Sequence, residues 1–373
     1  MPLVLSEEET MLRESARDFL AARAPVAHLR TLRDDAVADG FSRDLWGEMA
    51  DMGWPAVLVP EDHGGLGLGA VGLGVILEEC GRTLTPSPLL SSALVAATAI
   101  AAGGSEAQRA AWLPAIADGS HLFALACDET ARHDPAPRKT KATPRGDRLV
   151  IDGAKRAVHD GHVADTLLVT ARLEDRPVLV AVPAGHPGVH ITPSAVLDTH
   201  RAARVVFDQV EVGADALLGD AEDGGALIGL ALDAGRIGAA AELLGVAREA
   251  FERTLAYLGD RRQFGVPIGS FQALQHRAAQ LWCALETGQS VLLHALKALD
   301  ARAPDLAAAA SLAKAQLSAT AHLAATEAIQ MHGGIGMTDE FDIGFFLKRQ
   351  RILEALWGDR HFHLDRYARE RGY

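Results

Sequence analysis

The sequence predicts an α+β multidomain chain in three parts: helical, then strand-rich, then helical again. Three observations carry that expectation. Residues 1–118 lack strand alternation, residues 119–218 break into short β-branched runs separated by Gly, Asp and Pro, and residues 219–373 return to long Ala- and Leu-rich stretches.

The elements follow in order. Ser6 before Glu7-Glu8-Glu9 is a good N-cap with acids on the helix dipole, and Met11, Ala16, Phe19 and Leu20 share an apolar stripe. Pro60-Glu61-Asp62-His63-Gly64-Gly65-Leu66-Gly67 interrupts the helices with a glycine-rich loop. It lacks the Lys-Ser/Thr of a P-loop and the setting of a dinucleotide fingerprint, so loop geometry is its reading. Helical patterns resume over Val71 to Gly81 and Leu90 to Ala102. Leu149-Val150-Ile151, Thr166 to Thr170, Pro177 to Val182 and Ala203 to Val212 then read as strands of a small barrel or sandwich. From Ala221 helices return, punctuated at Gly259-Asp260 and broken at Gly333 to Gly336.

Composition bounds function. The chain has 373 residues, enough for two or three domains, and at 49% hydrophobic with 5% aromatic its core is built from Ala, Leu, Val and Ile. A net charge of −13 repels phosphate backbones, and the short basic end at Arg366 to Arg371 does not reverse that, so nucleic acid is not an expected partner. Cys80, Cys127 and Cys283 lack CxxC spacing and are read as packing residues. Acids sit where a signal peptide needs basic residues, and no apolar run is long enough for a membrane span, so a cytoplasmic location is expected.

Two segments carry the most information: Arg261-Arg262-Gln263-Phe264-Gly265 and Gln330-Met331-His332-Gly333-Gly334-Ile335-Gly336. Further pieces in fixed order are Gly53-Trp54, Trp112-Leu113-Pro114 with Gly119, Gly153-Ala154-Lys155, Leu232-Asp233 with Arg236, and Phe271-Gln272-Ala273-Leu274-Gln275. Together they resemble the acyl-CoA dehydrogenase superfamily over nearly the full length. The resemblance implies an N-terminal α-helical domain, a central β-barrel and a C-terminal four-helix bundle, assembled as a dimer or tetramer. It implies FAD as cofactor, conversion of an acyl-CoA to a trans-2-enoyl-CoA, and an electron-transfer flavoprotein or similar acceptor.

Such chemistry needs a flavin held against the acyl chain, a carboxylate to take the α-proton, and donors that polarise the thioester carbonyl. The resemblance places Arg261, Gln263, Phe264, Gln272, Gln330, Gly333 and Gly334 on the FAD of a neighbouring subunit, and Arg236 near the substrate. The in-cis positions depart from the family. The usual Thr-Glu-Pro-x-Ala-Gly-Ser-Asp reads Cys127-Asp128-Glu129-Thr130-Ala131-Arg132-His133-Asp134, and the usual Trp-Ile-Thr reads Ala157-Val158-His159. His159 either donates to flavin N5 or fills space. Both positions the family uses for the catalytic carboxylate are vacant: they hold Trp357 and Gly235. Asp359 and Glu354 remain as candidate bases. The asymmetry resembles the base-less partner in hetero-oligomeric members. A homotetramer using Asp359, or a scaffold subunit that binds neither FAD nor acyl-CoA, are the alternatives.

No metal-ligand set is expected. His361, His363 and Asp365 read as a solvated helix end, because residues two apart face different sides of a helix. Arg132, His133, Arg138, Lys139 and Lys141 form a basic cluster that either attracts CoA phosphates or decorates a loop.

Overall fold

The structure is a computed structural model that describes residues 3–136 and 139–373. The elements run α1 (Glu7–Arg23), α2 (Val26–Asp34), α3 (Arg43–Asp51), α4 (Gly69–Thr83), a π-helical run (Leu89–Ala96), α5 (Ala97–Gly103) and α6 (Glu106–Ala117). Strands follow: β1 (Phe123–Ala126), β2 (Lys141–Arg145), β3 (Arg148–His159), β4 (Thr166–Leu173), β5 (Arg176–Pro183), β6 (Val189–Ala195), β7 (Arg201–Gly213) and β8 (Leu217–Leu218). Then come α7 (Gly224–Asp260), β9 (Arg262–Gln263), β10 (Val266–Pro267), α8 (Gln272–Asp300), α9 (Leu306–His332), α10 (Ile343–Ala355) and α11 (Arg360–Glu370). The helical, strand-rich, helical order is the one the sequence predicts.

Two compact units emerge, and two of the four boundaries between them fall inside α4 and α7. The first comprises Asp35–Leu73 and Pro86–Gly235. Its strands form one eight-stranded mixed sheet in the order β6-β7-β3-β2-β4-β5-β8, with β1 also on β4. β4 serves three neighbours because β1 pairs with its first half, from Thr166 to Val169, and β2 with Arg172 and Leu173, both in parallel. Ile151, Val169, Val180, Val205 and Phe207 share one buried apolar cluster. The register of β3 on β7 shifts between Ile151 and Gly153 and again between Lys155 and Val158. Bulges re-aim side chains, and here Lys155 is fully buried. The Ser105 and Gln108 capping box starts α6, and the Gln108 amide reaches the Asp215 and Leu217 carbonyls at 2.6 and 3.1 Å. In the glycine-rich loop a Cβ at Gly65 would lie 1.9 Å from the Val59 carbonyl oxygen, so close backbone approach accounts for that residue.

The second unit comprises Met1–Asp34, Gly74–Thr85 and Arg236–Tyr373. α1 begins with the expected cap at Ser6, completed as a capping box by Glu9. α9 is its central helix, packed against α8, α10 and α11. Ala and Ser line much of α9's buried surface, which lets its neighbours approach closely. Gly245 of α7 lies against the backbone of α4, where a Cβ would sit 1.8 Å from the Glu78 carbonyl oxygen. Gly81 of α4 meets Glu242 in the same way, at 2.2 Å. Charged pairs flank this crossing. Glu78 is 3.1 Å from Arg248, and Arg17 donates to both Glu79 carboxylate oxygens. Burial raises the Glu78 carboxyl above its usual range, against the pull of Arg248.

Cys80 and Cys127 are buried, whereas Cys283 lies exposed on α8. Cys283 was expected to pack, but the buried stripe of α8 runs through Leu281, Leu285, Gly288 and Leu292, and position 283 falls off it. Among the described residues no helix is long and apolar enough to cross a membrane.

Gly245→Ala is expected to destabilise the chain by about 1–3 kcal/mol, the cost of overpacking where backbone cannot yield. Urea denaturation checks it, and an unchanged midpoint would refute the close-crossing account.

Candidate active site

In the helical unit the carboxylate-position turn connects α10 to α11. Trp357 adopts a positive φ of 54° and Gly358 one of 114°. The left-handed region costs a bulky residue about 1–2 kcal/mol, so neighbouring groups must hold the turn. Two buried cations do so. Arg236 of α7 donates from Nε to the Trp357 carbonyl at 3.1 Å, and its guanidinium lies 5.4 Å from the centre of the Phe362 ring. Lys314 of α9 donates from Nζ to the Glu354 carbonyl at 3.0 Å and to the Gly358 carbonyl at 2.9 Å. Gly358 is required by space as well as by φ, because a Cβ there would meet Phe362 and His363 at 2.5 and 2.8 Å. Burial, together with the nearby Arg236 charge, pushes the Lys314 ammonium down to about 7, with Glu354 and Asp359 opposing.

The indole of Trp357 is buried and carries no group able to accept a proton. The two remaining carboxylates have structural work. Asp359 is exposed, and its Oδ1 accepts from the Phe362 N–H at 2.8 Å as the N-cap of α11. Glu354 accepts from the Gln350 amide at 2.8 Å, with Arg351 at 3.5 Å. Arg236, expected beside the substrate, is spent partly on the turn. Gly235 lies in α7 among buried positions and brings no side chain.

The residues of the hairpin and the glycine turn present a different picture. Phe264 and Gly265 form a two-residue loop between β9 and β10, both at positive φ, as an I′-type hairpin requires. Phe264 is 93% exposed at its tip, and its ring meets Phe271 edge-on at 6.2 Å. Gln263 turns its amide to the Arg262 carbonyl at 2.7 Å. Arg261, Gln272 and Gln330 are exposed, and their side chains make no hydrogen bond or ion pair with a described residue. α9 ends at His332. Gly333 has φ 65°, and a Cβ at Gly333 or Gly334 would meet nothing within 4 Å. The guanidinium and amide donors of Arg261, Gln272 and Gln330, and the open backbone at Gly333 and Gly334, are available to a group from outside the chain.

In the sheet unit the in-cis positions are committed to one another. Lys155 donates to the Cys127 carbonyl at 3.0 Å, to Glu129 Oε1 at 3.1 Å and to Thr170 Oγ1 at 3.0 Å. Burial would raise the Glu129 carboxyl, but backbone N–H groups of Thr140 and Lys139 and the Lys155 charge hold it at about 2. His133 Nδ1 is 2.8 Å from Asp128 Oδ1, which also accepts from the Asp134 N–H. His159 is buried, with Nε2 3.4 Å from Asp160 and its ring stacked 6.5 Å from His200. Asp160 in turn accepts from Ser91 at 2.6 Å. This set fits a flavin poorly, because its donors already serve each other.

Arg132, Lys139 and Lys141 of the basic cluster are exposed, His133 is withdrawn to Asp128, and Arg138 lies outside the described residues. The solvated-end reading of α11 needs correcting at one residue: His361 and Asp365 are exposed, but His363 is fully buried, with Nδ1 3.5 Å from Ser311 of α9. Sequence reasoning missed Lys314 because a lysine in an alanine-rich helix reads as solvent-facing; nothing local marks it as buried.

A chain of this element order, with a donor-bearing hairpin and a glycine turn, has the architecture of flavin-dependent dehydrogenases that act on CH–CH bonds. The chain belongs to the acyl-CoA dehydrogenase family: the family's N-terminal domain matches residues 6–120 and its C-terminal domain residues 222–371. It is 31% identical over 366 residues to the probable acyl-CoA dehydrogenase YngJ of Bacillus subtilis, covering 95% of each chain. Among solved structures, it superposes on a chain of the Tcur3481-Tcur3483 steroid ACAD variant with TM-score 0.90 and 33% identity, covering 98% of this chain and 97% of that one. A chain of the ChsE4-ChsE5 complex from Mycobacterium tuberculosis aligns with TM-score 0.90 and 25% identity, covering 99% and 98%.

Two outcomes test the assignments at the turn. Asp359→Asn keeps the α11 cap and is expected to leave stability unchanged, whereas Asp359→Ala costs about 1 kcal/mol. For Lys314, the folded state releases its proton near pH 7 while the unfolded chain holds it to the ordinary value of 10.5. In that window the unfolded state binds more protons, so stability rises with pH. Urea melts at several pH values should show this rise in the wild type and not in Lys314→Met.

Proposed function

We propose that this chain is the base-less subunit of a hetero-oligomeric, FAD-dependent acyl-CoA dehydrogenase, active on a bulky acyl thioester. The observation that carries the reading is Trp357: a buried indole occupies the turn where the resemblance places the carboxylate, and both nearby carboxylates are otherwise engaged. Loss of a positioned base costs about 10²- to 10⁴-fold in rate. The related chains support the oligomer and the substrate class, since one is named as a steroid enzyme and both come from paired proteins.

Arg261, Gln272 and Gln330 would hold the FAD diphosphate of the neighbouring subunit, with Gly333 and Gly334 leaving room for close backbone approach and Phe264 covering apolar surface. When bound, FAD supplies the acceptor for the β-hydrogen of the acyl group as hydride, and the electrons leave to an electron-transfer flavoprotein or similar acceptor. This chain's residues bind and orient, and the partner subunit supplies the carboxylate that takes the α-proton. In this chain's own half, Lys155, Glu129, Asp128 and His133 pair among themselves and contribute little to a flavin. Asp359 has no part in proton transfer.

Flavin content decides it. The chain purified alone is expected to be colourless, and co-expression with a related base-bearing subunit to give one FAD per two chains, bleached anaerobically by a bulky acyl-CoA. Stoichiometric flavin in the isolated chain that bleaches with acyl-CoA would sink the proposal.

A further inference from the structure

We propose that Cys127, Asp128 and His133 form a binding site for a divalent transition-metal ion of the Zn²⁺ type. One ligand atom from each of the three lies within 4.8 Å of the others, the one such constellation among the described residues. Donors around a shared Zn²⁺ stand about 3.3–3.8 Å apart, from metal–ligand bonds of about 2.0–2.3 Å. Small side-chain rotations close the set.

The scaffold holds each ligand in place. Cys127 directly follows β1, and its carbonyl is fixed by the Lys155 ammonium at 3.0 Å, with the Thr170 hydroxyl at 3.4 Å. Asp128 Oδ1 accepts from the Asp134 N–H at 3.2 Å, a contact that orients the carboxylate as outer-shell hydrogen bonds do at metal centres. His133 Nδ1 already stands 2.8 and 3.1 Å from the two Asp128 oxygens, so imidazole and carboxylate are brought together before any ion arrives. Cys127 is 3% exposed, and the His133 and Asp128 side chains are 5% and 15% exposed.

Donor chemistry selects the ion. Sulfur, nitrogen and oxygen together suit Zn²⁺, while Mg²⁺ and Ca²⁺ prefer oxygen alone. A thiolate and a carboxylate neutralise the double charge. The neighbouring Lys155 ammonium is offset by Glu129 at 3.1 Å, so it adds little net repulsion. Three protein ligands leave a fourth position for water or an exogenous group. The sequence gives this set no familiar spacing, since Cys127 and His133 lie six residues apart on a loop without a CxxC pair. The inference is independent of the subunit role proposed above.

The test is a Co²⁺ titration of the full-length chain after chelator treatment. One saturating equivalent is expected, with thiolate-to-cobalt charge-transfer absorption in the near ultraviolet. Cys127→Ser should lose that absorption, His133→Gln should weaken binding by at least about tenfold, and Cys283→Ser, which removes the exposed thiol, should change nothing. Zn²⁺ should also raise the thermal midpoint of the wild type, since a ligand of the native state stabilises it. The wild-type titration decides even where a variant fails to fold. Absence of a saturable band, or a band that disappears with Cys283 in place of Cys127, overturns the site.

Discussion

The helical unit depends on one constraint: the carbonyls of a buried, left-handed turn must find donors. Trp357 and Gly358 sit where water does not reach, and an unmade hydrogen bond there costs about 1–3 kcal/mol. Arg236 and Lys314 meet that need from two different helices. The arrangement ties α7, α9 and the α10–α11 connection into one assembly. It also explains why two cations are tolerated inside a core made largely of alanine and leucine. Lys314 keeps its contacts in either protonation state, because a neutral amine still has two N–H groups for two carbonyls.

Around that turn the division of labour is chemical. Carboxylates that sequence proximity offered as bases are used to cap α11 and to join Gln350 and Arg351. Phe264 and the donors at Arg261, Gln272 and Gln330 face outward, and Met337 is 78% exposed on the segment that follows the glycine turn. Phe264 at the hairpin tip thus leaves an exposed apolar group beside these donors in sequence. In the sheet unit the reverse holds, with Lys155, Glu129, Asp128 and His133 satisfied within the chain. Donors are left outward in the helical unit and paired inward in the sheet unit.

The order of helical and strand-rich segments was legible because periodicity and turn residues are local properties. β3, β4, β5 and β7 lie where β-branched runs place them, and α9 ends at the glycines that break its pattern. β2, β6 and β8 were not legible, since their sequences are short, polar or interrupted by proline, and pairing with longer strands makes them extended. Cys283 and His363 were misplaced for one reason: which face of a helix is covered depends on neighbours distant in sequence.

By itself the sequence determined the class of chain, the donor residues of the hairpin and glycine-turn segments, and the absence of a carboxylate at positions 235 and 357. Those are facts of residue identity and spacing. Only the tertiary structure decided that Lys314 is buried at the turn, that Asp359 is a cap, and that Cys127, Asp128 and His133 share one locus. Each of these depends on what packs against a side chain from elsewhere in the fold, and burial and pairing, unlike periodicity, are not written in neighbouring residues.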